Sequence, residues 1–374
     1  MHFDDLESGN VTSLIVDGQR LYVANTHHGL LRSDDDGENW IPVNLNASFN
    51  FDITCLLKAD TFLFAGTKSG ALYRSSDGGV TWVDLPSKHA GAVKGLGVHA
   101  KKLFVSIDSI YRSSDWGNSW VSASMNVNPG HQFASIGNNV FTISSEAGCF
   151  RSTNNGDMWY WLPIAGPNGV NGTAMIAIGT NLLMGIGGQG IWRTTNLGQT
   201  WSRQDAFLNE NVTAFAVYQN TVFATLTGLG GVIQSLDSGV TWTPINQGLS
   251  GFDVRKTACS DEYLFIWLDQ GGFWRRPLAE LAVDAEANRS AMQVTLYPNP
   301  SVSTCTIEYT LETPSPVTIT VLDMGARPVI NLMEHGQSGT QSLQIDTRTL
   351  PEGSYLVSIA AEGARVFKVL QVCR

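Results

Sequence analysis

Asp108 and Glu146, about 40 residues apart, and Asp269 further on are the residues whose types best suit acid/base chemistry. Cleaving a glycosidic bond needs two carboxyl groups flanking the scissile oxygen, one as acid and the other as base or nucleophile. On a chain this acidic, two such residues in neighbouring segments are expected by chance, so they stand as weak catalytic candidates. His27 and His28 are the other reactive pair. Adjacent residues on an extended chain point apart, and no carboxylate partner is evident, so no metal site is expected. The five cysteines (Cys55, Cys149, Cys259, Cys305, Cys373) show no CxxC or ligand-like spacing. Neither a metal nor a disulfide framework follows from them, and no cofactor is expected.

The elements that must carry these residues are set by a repeat. The phrase Ser/Thr-x-Asp/Asn-x-Gly-x-x-Trp occurs six times. Its copies are Ser33-Asp35-Gly37-Trp40, Ser75-Asp77-Gly79-Trp82, Ser113-Asp115-Gly117-Trp120, Ser152-Asn154-Gly156-Trp159, Thr194-Asn196-Gly198-Trp201 and Ser235-Asp237-Gly239-Trp242. A period of about 40 residues marks one supersecondary unit used repeatedly. Each unit holds four short runs rich in β-branched and aromatic residues, as in 53–57, 61–65, 71–74 and 81–85, broken by turn residues. Four antiparallel strands per unit predict an all-β fold, a β-propeller. The phrase falls between the third and fourth strands, where Asp or Asn bonds turn amides and Gly supplies positive φ.

Third-strand signatures number seven, from Leu30-Leu31-Arg32 to Phe273-Trp274-Arg275, and the seventh has no fourth strand after it. Phe3-Asp4-Asp5-Leu6 resembles the fourth-strand sequence Trp82-Val83-Asp84-Leu85. The expectation is seven blades over residues 1–277, the last closed by strand 3–6, which removes an exposed sheet edge. In such a ring the loops between blades and the second-to-third-strand turns share one face around the central channel. That face gathers His27, His28, Lys68, Asp108, Glu146 and Asp269, with His131 and the loop aromatics Phe49, Phe51, Phe207 and Phe252 as ligand-binding candidates. Amides with a few aromatic platforms suit sugars or peptides.

This phrase is similar to the Asp-box, or BNR repeat, of sialidases, sortilin-type receptors and photosystem assembly factors. The resemblance covers residues 1–276 and implies the fold; in these families the boxes lie on the rim and are structural. A sialidase site would require three arginines on the substrate carboxylate. Arg32, Arg74, Arg112, Arg151, Arg193 and Arg275 share one repeat-equivalent position, facing the rim turn, which leaves Arg20, Arg203, Arg255 and Arg276. Arg20 falls on the opposite face and Arg276 beside the exit from the ring. The two that remain make no triad.

Residues 278–292 are rich in Ala and Glu and are expected to be a linker. Strand-like runs at 305–311, 317–323, 329–332, 342–345, 354–360 and 366–372 then predict a small Ig-like β-sandwich over 293–374. Tyr297-Pro298-Asn299-Pro300, the run 317–325, the run 350–357 and Lys368 resemble the C-terminal sorting domain of the bacterial type IX secretion system. The resemblance implies export by that machinery and a secreted or outer-membrane-attached protein. The start Met1-His2-Phe3-Asp4-Asp5 has no signal peptide and is read as truncated or mature.

A net charge of −10 with no basic stripe argues against nucleic acid, and no apolar run approaches the roughly 20 residues of a membrane span. The chain is expected to be a monomeric, non-enzymatic binding or adhesion module for a glycan or extracellular protein. A polysaccharide hydrolase or lyase and an envelope assembly or scaffolding factor are the alternatives.

Overall fold

The computed structural model describes the chain apart from residues 1, 4–9, 46–51, 87–90, 124–129, 145–147, 165–170, 205–209, 228–229, 247–248, 250–252, 269–271, 282–293, 312, 324–327 and 362–363. Of 2, 3, 356, 364, 365 and 367 it describes the backbone alone. Among the described residues, seven four-stranded antiparallel sheets account for residues 2–277, as expected of a seven-bladed propeller. The first blade runs through Val11–Asp17, Arg20–Asn25, Gly29–Ser33 and Ile41–Val43, and five further sheets repeat that order along the chain. The seventh takes Val254–Cys259, Tyr263–Leu268 and Gly272–Pro277 from the far end of the ring and His2–Phe3 from its start. His2 pairs with Trp274 and Phe3 with Phe273. Asp4, Asp5 and Leu6, the rest of the anticipated closing strand, lie outside the described residues.

The first strands of successive blades pack on one another around the axis. The second strand of each blade is buried at consecutive positions, as in Arg20–Asn25 and Phe62–Thr67, because both of its faces pack against neighbouring blades. Between blades one and two the cluster is Tyr22, Leu30 and Leu45 against Leu56, Leu63 and Trp82. The closing junction has the same construction, with Leu14, Leu21 and Val23 on Phe265, Trp267 and Phe273.

The repeated turn fixes this packing. In the second blade the buried Ser75 hydroxyl accepts from the Gly79 amide over 2.8 Å and donates to Asp77, whose carboxylate in turn accepts from the Thr81 amide and hydroxyl. Asn154 and Asn196 take the Asp place in the fourth and fifth blades and receive the equivalent amides through Oδ1. Gly37 has φ of 85°, and a Cβ there would stand 2.2 Å from Phe273 Cε1 of the seventh blade; Gly156 stands in the same relation to Phe104 of the third. Each turn therefore closes a hairpin and also seats its blade on the preceding one. Trp40 completes the contact edge-on to Phe273, ring centroids 5.2 Å apart.

The chain divides into two units by its contacts, Met1–Trp242 with Phe252–Arg276, and Thr243–Gly251 with Pro277–Arg374. Residues 278–281, placed by the sequence in a linker, form one helical turn with Leu278 and Leu281 buried. Beyond it a three-stranded sheet (Val294–Tyr297, Thr304–Leu311, Gly339–Asp346) and a four-stranded sheet share one core. Strict alternation in Thr304–Leu311 sends Cys305, Ile307, Tyr309 and Leu311 inward to meet Val317, Ile319, Val321 and Val357. The strand Val294–Tyr297 was missed because it is short and ends in the proline-rich turn.

Candidate ligand-binding face

On the first strand of five blades the register slips by one residue at the same place, leaving a bulge. The bulged residues are Thr12, Thr54, Thr173, Thr213 and Arg255, at the end of each strand that the inter-blade loop enters. A bulge re-aims side chains that a regular pleat would turn away. Thr12 donates to Ile53 O and Thr213 to Val254 O, each the next blade's carbonyl, at 2.7 and 2.8 Å. Thr54 does the same to Val93 O.

Where the first strands of blades five, six, seven and one converge, a cavity of about 600 Å³ opens. Asn10, Asn211, Thr173, Thr213, Thr227, Arg255 and Lys256 supply its polar lining, with Val11, Val212 and Trp267 as apolar wall. Asn211 is held in place: its Oδ1 accepts from the Gly188 amide over 2.6 Å. Arg255 Nη2 lies 3.6 Å from Asp253. Burial, reinforced by Asp253, raises the pKa of Glu210 beside this opening. Lys256 has its pKa lowered by burial, since the charged ammonium loses water.

The sequence candidates are spread around this face. His27 and His28 are exposed on a turn whose amides both donate to Asn25 Oδ1. Lys68 and His131 are exposed too, their backbone amides donating to Asp52 O and Ile143 O. Asp108 accepts from Tyr111 OH over 2.8 Å within its own blade, and burial together with that bond pushes the Tyr111 phenol up to about 12. Glu146, Asp269, Phe49, Phe51, Phe207 and Phe252 lie outside the described residues. Among the described residues no group of three or more His, Cys, Asp or Glu side chains is arranged to hold a metal ion.

Sequence reasoning passed over Lys256, Thr173 and the asparagines. Lys256 carried a signal, because its repeat equivalents are Ser13, Cys55, Gly95, Gln132, Ala174 and Ala214, none of them charged. The arginine column lies elsewhere, at the rim. Arg74 Nη1 donates to Trp116 O at 2.7 Å, and Arg32, Arg112, Arg151, Arg193 and Arg275 reach the corresponding carbonyl of the following blade.

The fold and this face define a β-propeller whose chain also carries a sorting module. Residues 295–372 match the model of the secretion system C-terminal sorting domain, which marks the chain for export. Over 109 residues, 28% of this chain, it is 30% identical to the photosystem II assembly lipoprotein Ycf48 of Synechococcus sp. (strain CC9902). That match spans about a third (32%) of the relative's length. Among solved structures, YCF48 bound to D1 peptide superposes with a TM-score of 0.60 at 17% identity, over 74% of this chain and 95% of that one. YCF48 from Cyanidioschyzon merolae gives 0.56 at 19%, over 74% and 97%. PorZ, described as an essential surface component of the type IX secretion system of Porphyromonas gingivalis, gives 0.55 at 15% identity. There the whole of this chain is covered, and 60% of PorZ. At these identities the structural likeness speaks for the fold.

Proposed function

We propose that this chain is an exported, non-enzymatic binding or adhesion protein. In this reading residues 1–277 are an Asp-box propeller, 278–292 a connector, and 293–374 the signal read by the type IX secretion machinery. The destination is the medium or the outer-membrane surface. The inter-blade face is the working surface, and its ligand is a glycan or an extracellular protein. The observation that carries the reading is the cavity of about 600 Å³ on that face, lined by side-chain amides, hydroxyls and two cations. Preformed concave sites with a few convergent polar groups are where proteins bind ligands.

Screening the purified chain on a glycan array and in pulldowns from envelope extracts tests it. Specific capture that is lost when the lining is substituted supports the reading; turnover of a captured glycan would replace it with the hydrolase reading. The names of two structural neighbours, an assembly factor and a secretion-system component, favour a second reading as an envelope assembly factor. That reading expects a protein partner and no sugar.

A further inference from the structure

The ring of bulges is a structural device, and it is broken where the cavity lies. In three blades the bulged threonine staples its blade to the next through a carbonyl. The Thr173 hydroxyl, at the same place in blade five, is buried and has no hydrogen-bond partner among the described residues. In blade seven the staple is replaced outright by Arg255. The residue after the bulge is small in the neighbouring first strands, Ser13, Cys55, Ala174 and Ala214, and in blade seven it is Lys256. Two adjacent cations thus stand where the repeat calls for a hydroxyl and a small side chain, and both line the cavity.

Their electrostatics differ. Arg255 is shared with Asp253 at 3.6 Å. The Lys256 side chain has neither a hydrogen bond nor an ion pair among the described residues. A partly buried cation without an anion of its own costs stability, and a position that repays nothing in the fold is suited to a ligand. The remaining lining offers donors and acceptors together, from Asn10, Asn211, Thr173, Thr213 and Thr227, beside one apolar wall of Val11, Val212 and Trp267. A peptide end would ask for one carboxylate site plus apolar side-chain pockets. A sugar acid asks for one carboxylate site plus amides and hydroxyls that answer a ring of hydroxyls.

We infer that this cavity binds the carboxylate-bearing unit of an acidic sugar, with Lys256 taking the carboxylate, Arg255 assisting, and Thr173 and the two asparagines meeting the hydroxyls. The inference rests on the proposal that the inter-blade face binds ligands, and it names their class. The lowered pKa of Lys256 is consistent with it, since an incoming carboxylate supplies the missing counter-charge.

The test is calorimetric titration of the full-length chain with D-glucuronate, D-galacturonate and their disaccharides. D-glucose, D-galactose and a short peptide with either a free or an amidated C-terminus serve as comparisons. At least one uronate should bind while its neutral counterpart does not. Lys256→Gln should weaken that binding by about tenfold or more, and Lys256→Arg, which keeps the charge, should retain most of it. Circular dichroism of each variant confirms folding. Equal binding of the neutral sugar, or an unchanged affinity in Lys256→Gln, overturns the inference. So does binding confined to the free-carboxylate peptide, in favour of a protein ligand. If uronates fail while neutral glycans are captured on the array, this assignment falls and the binding function stands; if nothing is captured by either route, both fall.

Discussion

Arg275 Nη1 donates to the main-chain oxygen of Asp36 over 2.9 Å, although 239 positions of sequence separate the two residues. Arg275 belongs to the third strand of the last blade and Asp36 to the rim turn of the first, so the bond crosses the ring's closing junction. The same guanidinium lies 4.7 Å from the centre of the Tyr263 ring and reaches Glu38 at 2.6 Å. Equivalent bonds from Arg32, Arg74, Arg112, Arg151 and Arg193 join the earlier blades, each to the residue before a box glycine. At the closing junction the bond ties the last blade of the sequence to the first.

Arg275→Ala should therefore be costly. A half-buried guanidinium bonded to a carbonyl and stacked on an aromatic ring is worth about 1.5–3 kcal/mol. Glu38→Gln should cost under about 1 kcal/mol, because the Glu38 side chain is half exposed and surface ion pairs contribute little. Urea unfolding of the two variants checks the ordering, and equal losses would refute this account of the closing junction.

The box serine predicts a second asymmetry. Ser75→Ala leaves the buried Gly79 amide without its acceptor, a loss of about 1–3 kcal/mol. Asp77→Asn should be nearly neutral at pH 7, since Asn154 and Asn196 already accept the corresponding amides in their own blades. Thermal melts of Ser75→Ala and Asp77→Asn compare them directly.

Much of this was legible in sequence, and the reason is repetition. Six tryptophans and six arginines at equivalent places define the strand order, so the arginines could be removed from a catalytic account before any coordinates. Repetition also concealed the candidate site. Lys256 and Arg255 matter because they depart from Ser13, Cys55, Ala174 and the bulged threonines, and the bulge that turns them toward the cavity leaves no mark on hydrophobic alternation. Asp108 was picked for its charge, yet it is spent on Tyr111 in its own blade. Among the described residues the Thr173 hydroxyl has no partner although its counterparts in three blades do, a difference that residue type does not carry.

Acid should loosen the propeller through the boxes. The bonds from Thr81 and Ser119, with those from Ser75 and Ser113, hold the Asp77 and Asp115 carboxyls down at about 2, against an ordinary value of 3.8. A depressed folded pKa stabilises above the unfolded value and loses that contribution as pH falls through 3.8 toward about 2. Both carboxylates are exposed, so solvent screening keeps each effect small. Denaturation at pH 2–6 should show stability falling in that window, with a shallower fall in a variant carrying Asp→Asn at 35, 77, 115 and 237.

Two glycines separate backbone strain from packing. Gly18 and Gly156 both have positive φ, 65° and 83°, but a Cβ on Gly18 meets nothing within 4 Å, while one on Gly156 would stand 2.1 Å from Phe104 Cε1. Gly18→Ala should cost about 1–2 kcal/mol, the left-handed penalty alone. Gly156→Ala adds overpacking between blades three and four, about 1–3 kcal/mol more. Chemical denaturation of the pair measures the difference.

Lys256 makes the last prediction, and its sign is opposite to that of an ordinary core substitution. Burial lowers its pKa from 10.5 in the folded chain, with the Cys55 thiol, itself pushed up to about 12 by burial, the one titrating group that opposes the shift. That thiol stays protonated at neutral pH, Arg255 beside it is a like charge, and Asp253 is engaged with Arg255. Below the folded pKa the ammonium is charged in both states and its desolvation weighs against folding. Between the folded pKa and 10.5 the unfolded chain holds more protons, so stability rises with pH. Lys256→Met, similar in length and without charge, should then be at least as stable as the native chain at pH 7. Its advantage should shrink as pH approaches 10.5. Urea unfolding at pH 7 and near pH 10 decides it: a variant weaker at pH 7 that recovers at high pH would mean that Lys256 has a counter-charge in the free protein, whereas the expected order marks a residue kept for binding at some expense of stability.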